Sequence, residues 1–537
     1  MADGAPPRAP RCSPAVREGL PPLLGGTLAL VAAGGLTYRF TGSWPYAAAA
    51  GIPTALLTAY LVRTSTSRRT AALWRRWRES ADVVAKLAER LKNETNVDNL
   101  RRPLPINLAL LGAVQRKRTA ELEAAGSTDN GAQASTSSIA NSLLSAVFAP
   151  ASPTSKELHE AEHFMRFATA AYGHALMAAL GAQAALIPSV VAASAQRGVS
   201  LDVAAIAKHT GIGEKDLRLV RLDLGEDPHC PRHFVAVDRV TRSVVLAIRG
   251  TASISDALVH DLVADATAFA GGHAHRGMAD AAHTLRTTAV PAALEALAEH
   301  PGYDFVVTGH SLGAGAACLL TTLLLHDARA KKGMFFSRGT KTSPSDEVNL
   351  PEGTRLRCFA FAPPPVFAGD AAGAPVTEAV VVGEDVVPHL SVYAVREVLE
   401  ALARIDTVDL PLRSVLSVAT GARSAPRELC DAVARSGTPA KRTRSSIAVA
   451  PKLSIPAKRI VHLPRADSQT AAARMVRRRR RRGSRHDERT APNGVTACTP
   501  DAFADALVVL APEMVSDHLF TSYERALRQA AGERESV

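Results

Sequence analysis

The sequence predicts an α/β fold with a mainly parallel sheet covered on both faces, preceded by two membrane-spanning helices. Three observations carry this. From Phe234 onward, short β-rich runs alternate with helical stretches. The inner runs are apolar at nearly every position, as in strands buried on both faces. Two uncharged runs of membrane-spanning length stand near the N-terminus. The 537 residues are 47% hydrophobic and 21% charged. That supports a sizeable core and excludes wholesale disorder.

The elements follow in order. After the first 18 residues, Gly19–Tyr38 and Pro45–Val62 carry no charge and are separated by the short polar turn Arg39–Trp44. A bilayer needs about 20 apolar residues per helix. Residues 19–62 therefore read as a transmembrane hairpin, with Trp44, Tyr46 and Tyr60 near its ends. Arg8, Arg11 and Arg17 precede it, and Arg63, Arg68, Arg69, Arg75, Arg76 and Arg78 follow. The positive-inside bias then puts both ends in the cytosol, giving a multi-pass membrane protein whose large C-terminal part faces the cytosol. A cleaved leader fits less well, because a second apolar run and a basic stretch follow the first. Residues 63–125 show charged and aliphatic side chains at helical spacing, an amphipathic helical region. Residues 126–155 are rich in Ser, Ala, Thr, Gly and Asn and read as a linker. Ala175–Ala195 is uncharged and long enough to span; it reads as a buried domain helix broken at Pro188.

The main domain is expected over 156–537. Phe234–Val237 and Ser243–Ile248 are strands, His283–His300 a helix, Phe305–Thr308 a strand and Gly315–Leu325 a helix. Arg355–Phe361, Ala379–Val382 and Arg459–Leu463 are further strands, and Ser516–Ala531 closes the fold with a helix. Inserts are expected at about 326–354, 391–457 and 466–497. The net charge of +12 is local, because residues 436–490 alone carry +13. A run of six arginines, Arg477–Arg482, lies there. It reads as a solvated insert or as a contact for anionic lipid headgroups; nucleic-acid binding fits a membrane hairpin poorly. The six cysteines form no CxxC pair or zinc-spaced cluster, which points to a reducing compartment.

Chemistry concentrates in Tyr303–Gly315, YDFVVTGHSLGAG. Gly309-His310-Ser311-Leu312-Gly313 is a GxSxG pattern between an apolar β run and an Ala/Leu helix. A serine on so tight a turn needs small flanking residues, and the following helix aims amide donors at it. That context predicts an α/β-hydrolase fold with Ser311 as nucleophile. In this fold the order is serine, acid, histidine. Asp385 follows the strand Ala379–Val382 and is the expected acid; Glu384 competes, and Asp370 is less suited in its Gly/Ala loop. Among His389, His462 and His518, the last follows the final strand and is the expected base. His310 is adjacent to the nucleophile and is expected to point away from the triad. The oxyanion hole needs two backbone amides. Leu312 supplies one, and Thr251, in the loop after Val244–Ile248, supplies the other.

IRGTASISDALVHDL, HRGM, VVTGHSLGAGAA, CFAFAPPP, VVVGEDVVP and SDHL together resemble the fungal-type (class 3) lipase domain, and within it the membrane-bound sn-1-specific diacylglycerol lipases. The resemblance covers roughly Glu157–Ala531. It implies a triad of Ser311, Asp385 and His518, with Thr251 and Leu312 as the oxyanion hole. Asp261 and Asp265 match acidic positions after the oxyanion strand and are expected to be structural. That branch usually has four membrane spans, whereas two are defensible here. The segment 391–457 stands where the family has a regulatory loop. The expected activity is hydrolysis of diacylglycerol to monoacylglycerol and fatty acid through an acyl-enzyme. A phospholipase A1 or triacylglycerol lipase with the same triad is the alternative within enzymes, and a catalytically inactive lipid-binding scaffold the alternative outside them. No cofactor is needed for this chemistry. The resemblance implies an association with calcium, although the sequence holds no EF-hand loop.

Overall fold

In a computed structural model, the described residues are 73–78, 81, 84–85, 100–126, 150–181, 187–222, 230–251, 266–334, 350–434, 451–466, 495–504 and 510–532. The chain divides into two units, Met1–Arg75 and Arg76–Val537. Of the first, residues 73–75 are described; the second holds the fold. The hairpin over 19–62, Asp261, Asp265 and Arg477–Arg482 lie outside the described residues.

Helix α1 (Leu104–Gly126) falls mostly in the stretch expected to be amphipathic. Its first turns have no wet face, because Ile106–Val114 are all buried. The polar exception, Asn107, donates from Nδ2 to Asp406 Oδ1 at 2.8 Å. Helix α2 (Ser155–Ala170) starts with a capping box between Thr154 and Glu157, which satisfies amide donors that the helix leaves open. Helices α3 (Gly173–Ala179), α4 (Ile187–Arg197) and α5 (Leu201–Thr210) follow.

The uncharged run Ala175–Ala195 is divided between α3 and α4, as its Gly and Pro suggest. Pro188 lies in the first turn of α4, where its missing N–H costs nothing. Nor is α4 buried as expected: Val190 packs against α5, but Val191 is 52% exposed. Among the described residues no single helix is long and apolar enough to cross a membrane; Pro188–Arg197 and Leu201–Thr210 pass that test only as a pair, bent by 119°.

Next come β1 (Leu217–Arg221), β2 (His233–Asp238), β3 (Ser243–Ile248), β4 (Ala266–Phe269) and β5 (Gly272–His275). The expected helix at 283–300 is two helices, α6 (Arg276–Thr288) and α7 (Val290–Glu299), because Pro291 opens a new first turn. Then follow β6 (Asp304–His310), α8 (Leu312–Met334), β7 (Leu356–Phe361), β8 (Phe367–Ala368) and β9 (Thr377–Val382). Helix α8 runs well into the stretch read as an insert. Residues 391–434 form α9 (Val392–Thr407), α10 (Leu412–Ala419) and α11 (Arg427–Ala434). Strand β10 (Arg459–Leu463) has the expected bounds, β11 (Thr496–Cys498) and α12 (Pro500–Ala504) follow, and α13 (Phe520–Ala531) closes the chain.

The main sheet has the order β1-β2-β3-β6-β7-β9-β10-β11. Its four central pairings, from β3 to β10, are parallel, and the outer ones are antiparallel. A small antiparallel sheet joins β4, β5 and β8. Helices α2 and α13 cover one face, where Phe164 stacks on Phe359 at 4.7 Å between ring centres. Every residue of β3 and β6 is buried. With α7 packed on β3 and α8 on β6 and β7 as well, this cover explains the unbroken apolar runs and makes the ends of the parallel strands a rigid base for loops.

Candidate active site

Ser311 lies between β6 and α8 with φ +61°, a left-handed backbone that a side-chain-bearing residue adopts at a cost. Its amide donates to Phe361 O at 2.8 Å, and its carbonyl accepts from Ala314 and Gly315. The flanking glycines are steric requirements. A Cβ at position 309 would lie 2.4 Å from Gly313 O, and one at 313 would lie 2.3 Å from Ile248 O. Backbone crosses backbone there, leaving no flexible side chain to give way.

The structure brings Ser311, His518 and Asp385 together. His518 Nε2 is 2.8 Å from Ser311 Oγ. His518 Nδ1 is 3.0 and 2.9 Å from the two Asp385 carboxylate oxygens. All three residues are buried. Asp385 Oδ1 also accepts from Val387 N at 2.9 Å, and Oδ2 from the Tyr523 hydroxyl at 2.6 Å. Tyr523 in turn accepts from Val382 N. Burial, reinforced by the Asp385 charge, holds the Tyr523 hydroxyl protonated well above the usual phenol range, so it is a donor to that carboxylate. A serine whose hydroxyl donates to an imidazole that is itself fixed by a carboxylate is arranged to lose its proton as it attacks an acyl carbon.

The other sequence candidates lie elsewhere. Glu384 is half-buried and meets this neighbourhood through its amide, which donates to Asp517 Oδ2 at 2.9 Å. Asp370 is exposed. His389 stacks on Phe503 at 4.3 Å, and burial pulls its imidazole down to about 4. His462 contacts Gly383 O at 2.7 Å. Leu312 opens α8 directly after Ser311. Thr251 is half-buried and follows Gly250, where a Cβ would stand 3.0 Å from Ser311 Cβ. The loop that carries Thr251 therefore passes close beside Ser311.

His310 does not point away from the triad. Its ring centre is 4.9 Å from that of His518, and its Nδ1 meets the buried Tyr172 hydroxyl at 2.8 Å. Burial and the neighbouring His518 keep this imidazole neutral, well below its ordinary value. The strand's last residue is turned into the core by the elbow and packs against His518 as an uncharged wall.

Sequence reasoning missed Tyr523, Tyr172 and Asp517. Asp517 adjoins His518, and its carboxylate ties the acid-bearing loop to the histidine-bearing one. Gly383, at φ +54°, lets that carboxylate approach: a Cβ there would lie 2.4 Å from Asp517 Oδ2. Arg465 Nε is 3.4 Å away. Burial pushes the Asp517 carboxyl up to about 6. A raised acid pKa means that the folded chain binds the proton more tightly than the unfolded chain. The group's contribution is therefore best at low pH and is lost as pH rises from about 4 through 6. Asp517→Asn keeps an oxygen for the Glu384 amide and removes the buried charge. We expect its stability relative to wild type to rise by on the order of 2 kcal/mol between pH 4.5 and 7.5, measured as paired thermal unfolding curves. A difference that is flat across this range would refute the assignment.

Residues 245–394 match the class 3 lipase family. The chain is 27% identical to mouse diacylglycerol lipase-beta over 270 residues, covering 46% of this chain and 36% of that one. It is 30% identical to human diacylglycerol lipase-alpha over 191 residues, covering 32% of this chain and 16% of that one. The matches thus span little more than a third of these curated relatives, or less. Among solved structures, lipase II from Rhizopus niveus aligns at 22% identity with a TM-score of 0.30, over 45% of this chain and 77% of that one. The chain carries a class 3 lipase domain with a serine-hydrolase fold.

Proposed function

We propose that the chain is a membrane-anchored serine lipase that cleaves the sn-1 acyl ester of diacylglycerol, releasing a fatty acid and monoacylglycerol. The observation that carries a hydrolytic reading is the Ser311–His518–Asp385 relay, buried and closed at 2.8 to 3.0 Å. The names of the mouse and human relatives favour diacylglycerol. The uncharged runs over 19–62 and their arginine flanks support anchoring, with the catalytic domain on the cytosolic side. Arg477–Arg482 is suited to anionic headgroups on that side.

In the reaction, His518 Nε2 accepts the Ser311 proton as Oγ bonds to the ester carbonyl carbon. Asp385 holds the imidazole in the tautomer that presents Nε2 and stabilises the imidazolium. The amides of Leu312 and Thr251 receive the oxyanion; removing one such donor typically costs about 10²–10³ in rate. Collapse of the tetrahedral intermediate breaks the ester bond, and His518 returns the proton to the glyceride oxygen. Water, deprotonated by the same imidazole, then releases the fatty acid from Ser311. Each step uses groups of this chain alone; calcium, implied only by resemblance, enters none of them.

The test is the full chain assayed side by side on diacylglycerol, phosphatidylcholine and triacylglycerol. We expect the highest kcat/KM on diacylglycerol, with the sn-1 chain released first. Faster hydrolysis of phosphatidylcholine or triacylglycerol would replace this substrate with a phospholipase A1 or triacylglycerol lipase reading. Hydrolysis of none of them, with no labelling by a fluorophosphonate, would leave an inactive lipid-binding scaffold.

A further inference from the structure

A cavity of about 240 Å³ opens beside the catalytic loops, under the helical layer formed by α1 and α9–α11. A site of ~10–15 Å³ admits one water, so this space suits a chain of several groups. Its position ties it to the chemistry. One wall is Pro388, in the turn whose Val387 amide binds Asp385. Another is Pro365, next to Pro364, whose Cγ would lie 3.2 Å from a Cβ at Gly315 in the first turn after the nucleophile.

The lining has two characters. Leu111, Ile455 and Phe503 are buried and apolar, and the neutral His389 stacked on Phe503 extends that surface. Empty apolar space forfeits packing contacts, so such a floor favours an apolar occupant. Arg404 also lines the cavity, one turn of α9 beyond Glu400. Its Nη1 is 3.6 Å from Glu400, a loose pair, and the side chain is 30% exposed, so the guanidinium is not closed off by that carboxylate. A planar carboxylate is its natural complement. Lys452, at the exposed rim, and Glu397 are further charged residues of the lining.

We infer that this cavity binds a long-chain carboxylate, with its alkyl chain on the Leu111–Ile455–Phe503 floor and its head on Arg404. The inference rests on the lipase reading only for the source of the ligand: a free fatty acid is the product that Ser311 would release. Membrane phospholipids present a phosphate, and their glycerol esters offer no free carboxylate, so head chemistry separates the sources.

The experiment uses the full chain carrying Ser311→Ala, so that no acyl-enzyme forms, and an oleate analogue with a diazirine near its methyl end. Crosslinks are mapped by mass spectrometry. We expect labels on α9, residues 451–455 or α12. Excess oleate should compete, whereas methyl oleate and phosphatidic acid should not. Arg404→Gln should reduce labelling by about tenfold, and Val398→Phe, which narrows the cavity, should reduce it further. Arg404 is partly exposed, so its variant keeps the test decisive if the Val398 variant fails to fold. Labels elsewhere, equal competition by methyl oleate or phosphatidic acid, or unchanged labelling of Arg404→Gln would each overturn the inference. Since labelling needs no turnover, its failure is distinct from a failure of the lipase reading.

Discussion

Ser311→Ala is expected to lower the turnover of any fatty-acyl ester by about 10⁴ to 10⁶, while leaving the folded domain in place. The size reflects the loss of the nucleophile itself. Without Oγ there is no acyl-enzyme, and His518 has no hydroxyl to deprotonate. Substrate binding and the amides around the elbow survive, and they retain only a residual acceleration over water. Stability should change little. Serine already bears the left-handed φ of +61°, and alanine meets the same Cβ constraint. The serine's backbone bonds to Phe361, Ala314 and Gly315 use no side-chain atom. The measurement pairs steady-state hydrolysis with thermal unfolding, together with fluorophosphonate labelling of the wild type and its loss in the variant. A folded variant that hydrolyses esters at the wild-type rate would end the enzymatic proposal.

The elbow was legible in the sequence because backbone approach leaves only glycine at positions 309 and 313, a constraint written in residue identity. Asp385 and His518 were legible because chain order along a parallel sheet brings strand ends to one edge. Other features have no local signature. Tyr523 reaches Asp385 only because α13 turns back across β9, so its hydroxyl acquires meaning from tertiary packing. His310 was expected to point away because it adjoins the nucleophile, yet the elbow turns it against His518. The α1 helix was expected to be amphipathic from charged and aliphatic side chains at helical spacing. Its buried turns are explained by α9–α11, which the sequence showed only as an insert. The uncharged run at 175–195 misled in another way: apolar composition does not distinguish a buried helix from one left partly exposed, and α4 is the latter.

Asp385→Asn is expected to cut kcat by about 10⁴ near neutral pH, and two features of this site make the loss large. The carboxylate faces His518 Nδ1, the Tyr523 hydroxyl and the Val387 amide. All three approach as donors, and an ionised carboxylate accepts from all of them. An amide offers one oxygen and one NH₂, so at least one buried donor must meet a donor. An NH₂ in place of Oδ1 meets the Val387 amide and one in place of Oδ2 meets the Tyr523 hydroxyl, so either orientation takes the acceptor from a buried donor, at about 1–3 kcal/mol. Both places also face His518 Nδ1, so the NH₂ competes to donate there and favours the tautomer with hydrogen on Nε2, which cannot take the Ser311 proton. The variant should therefore be both slow and less stable, whereas Ser311→Ala is only slow. Glu384→Gln is the internal control. The Glu384 amide holds Asp517, but its carboxylate contributes nothing to the relay, so the rate should stay near wild type. Hydrolysis that survives Asp385→Asn but fails in Glu384→Gln would move the acid to the neighbouring position and require a different loop conformation from the one in which Val387 caps Asp385.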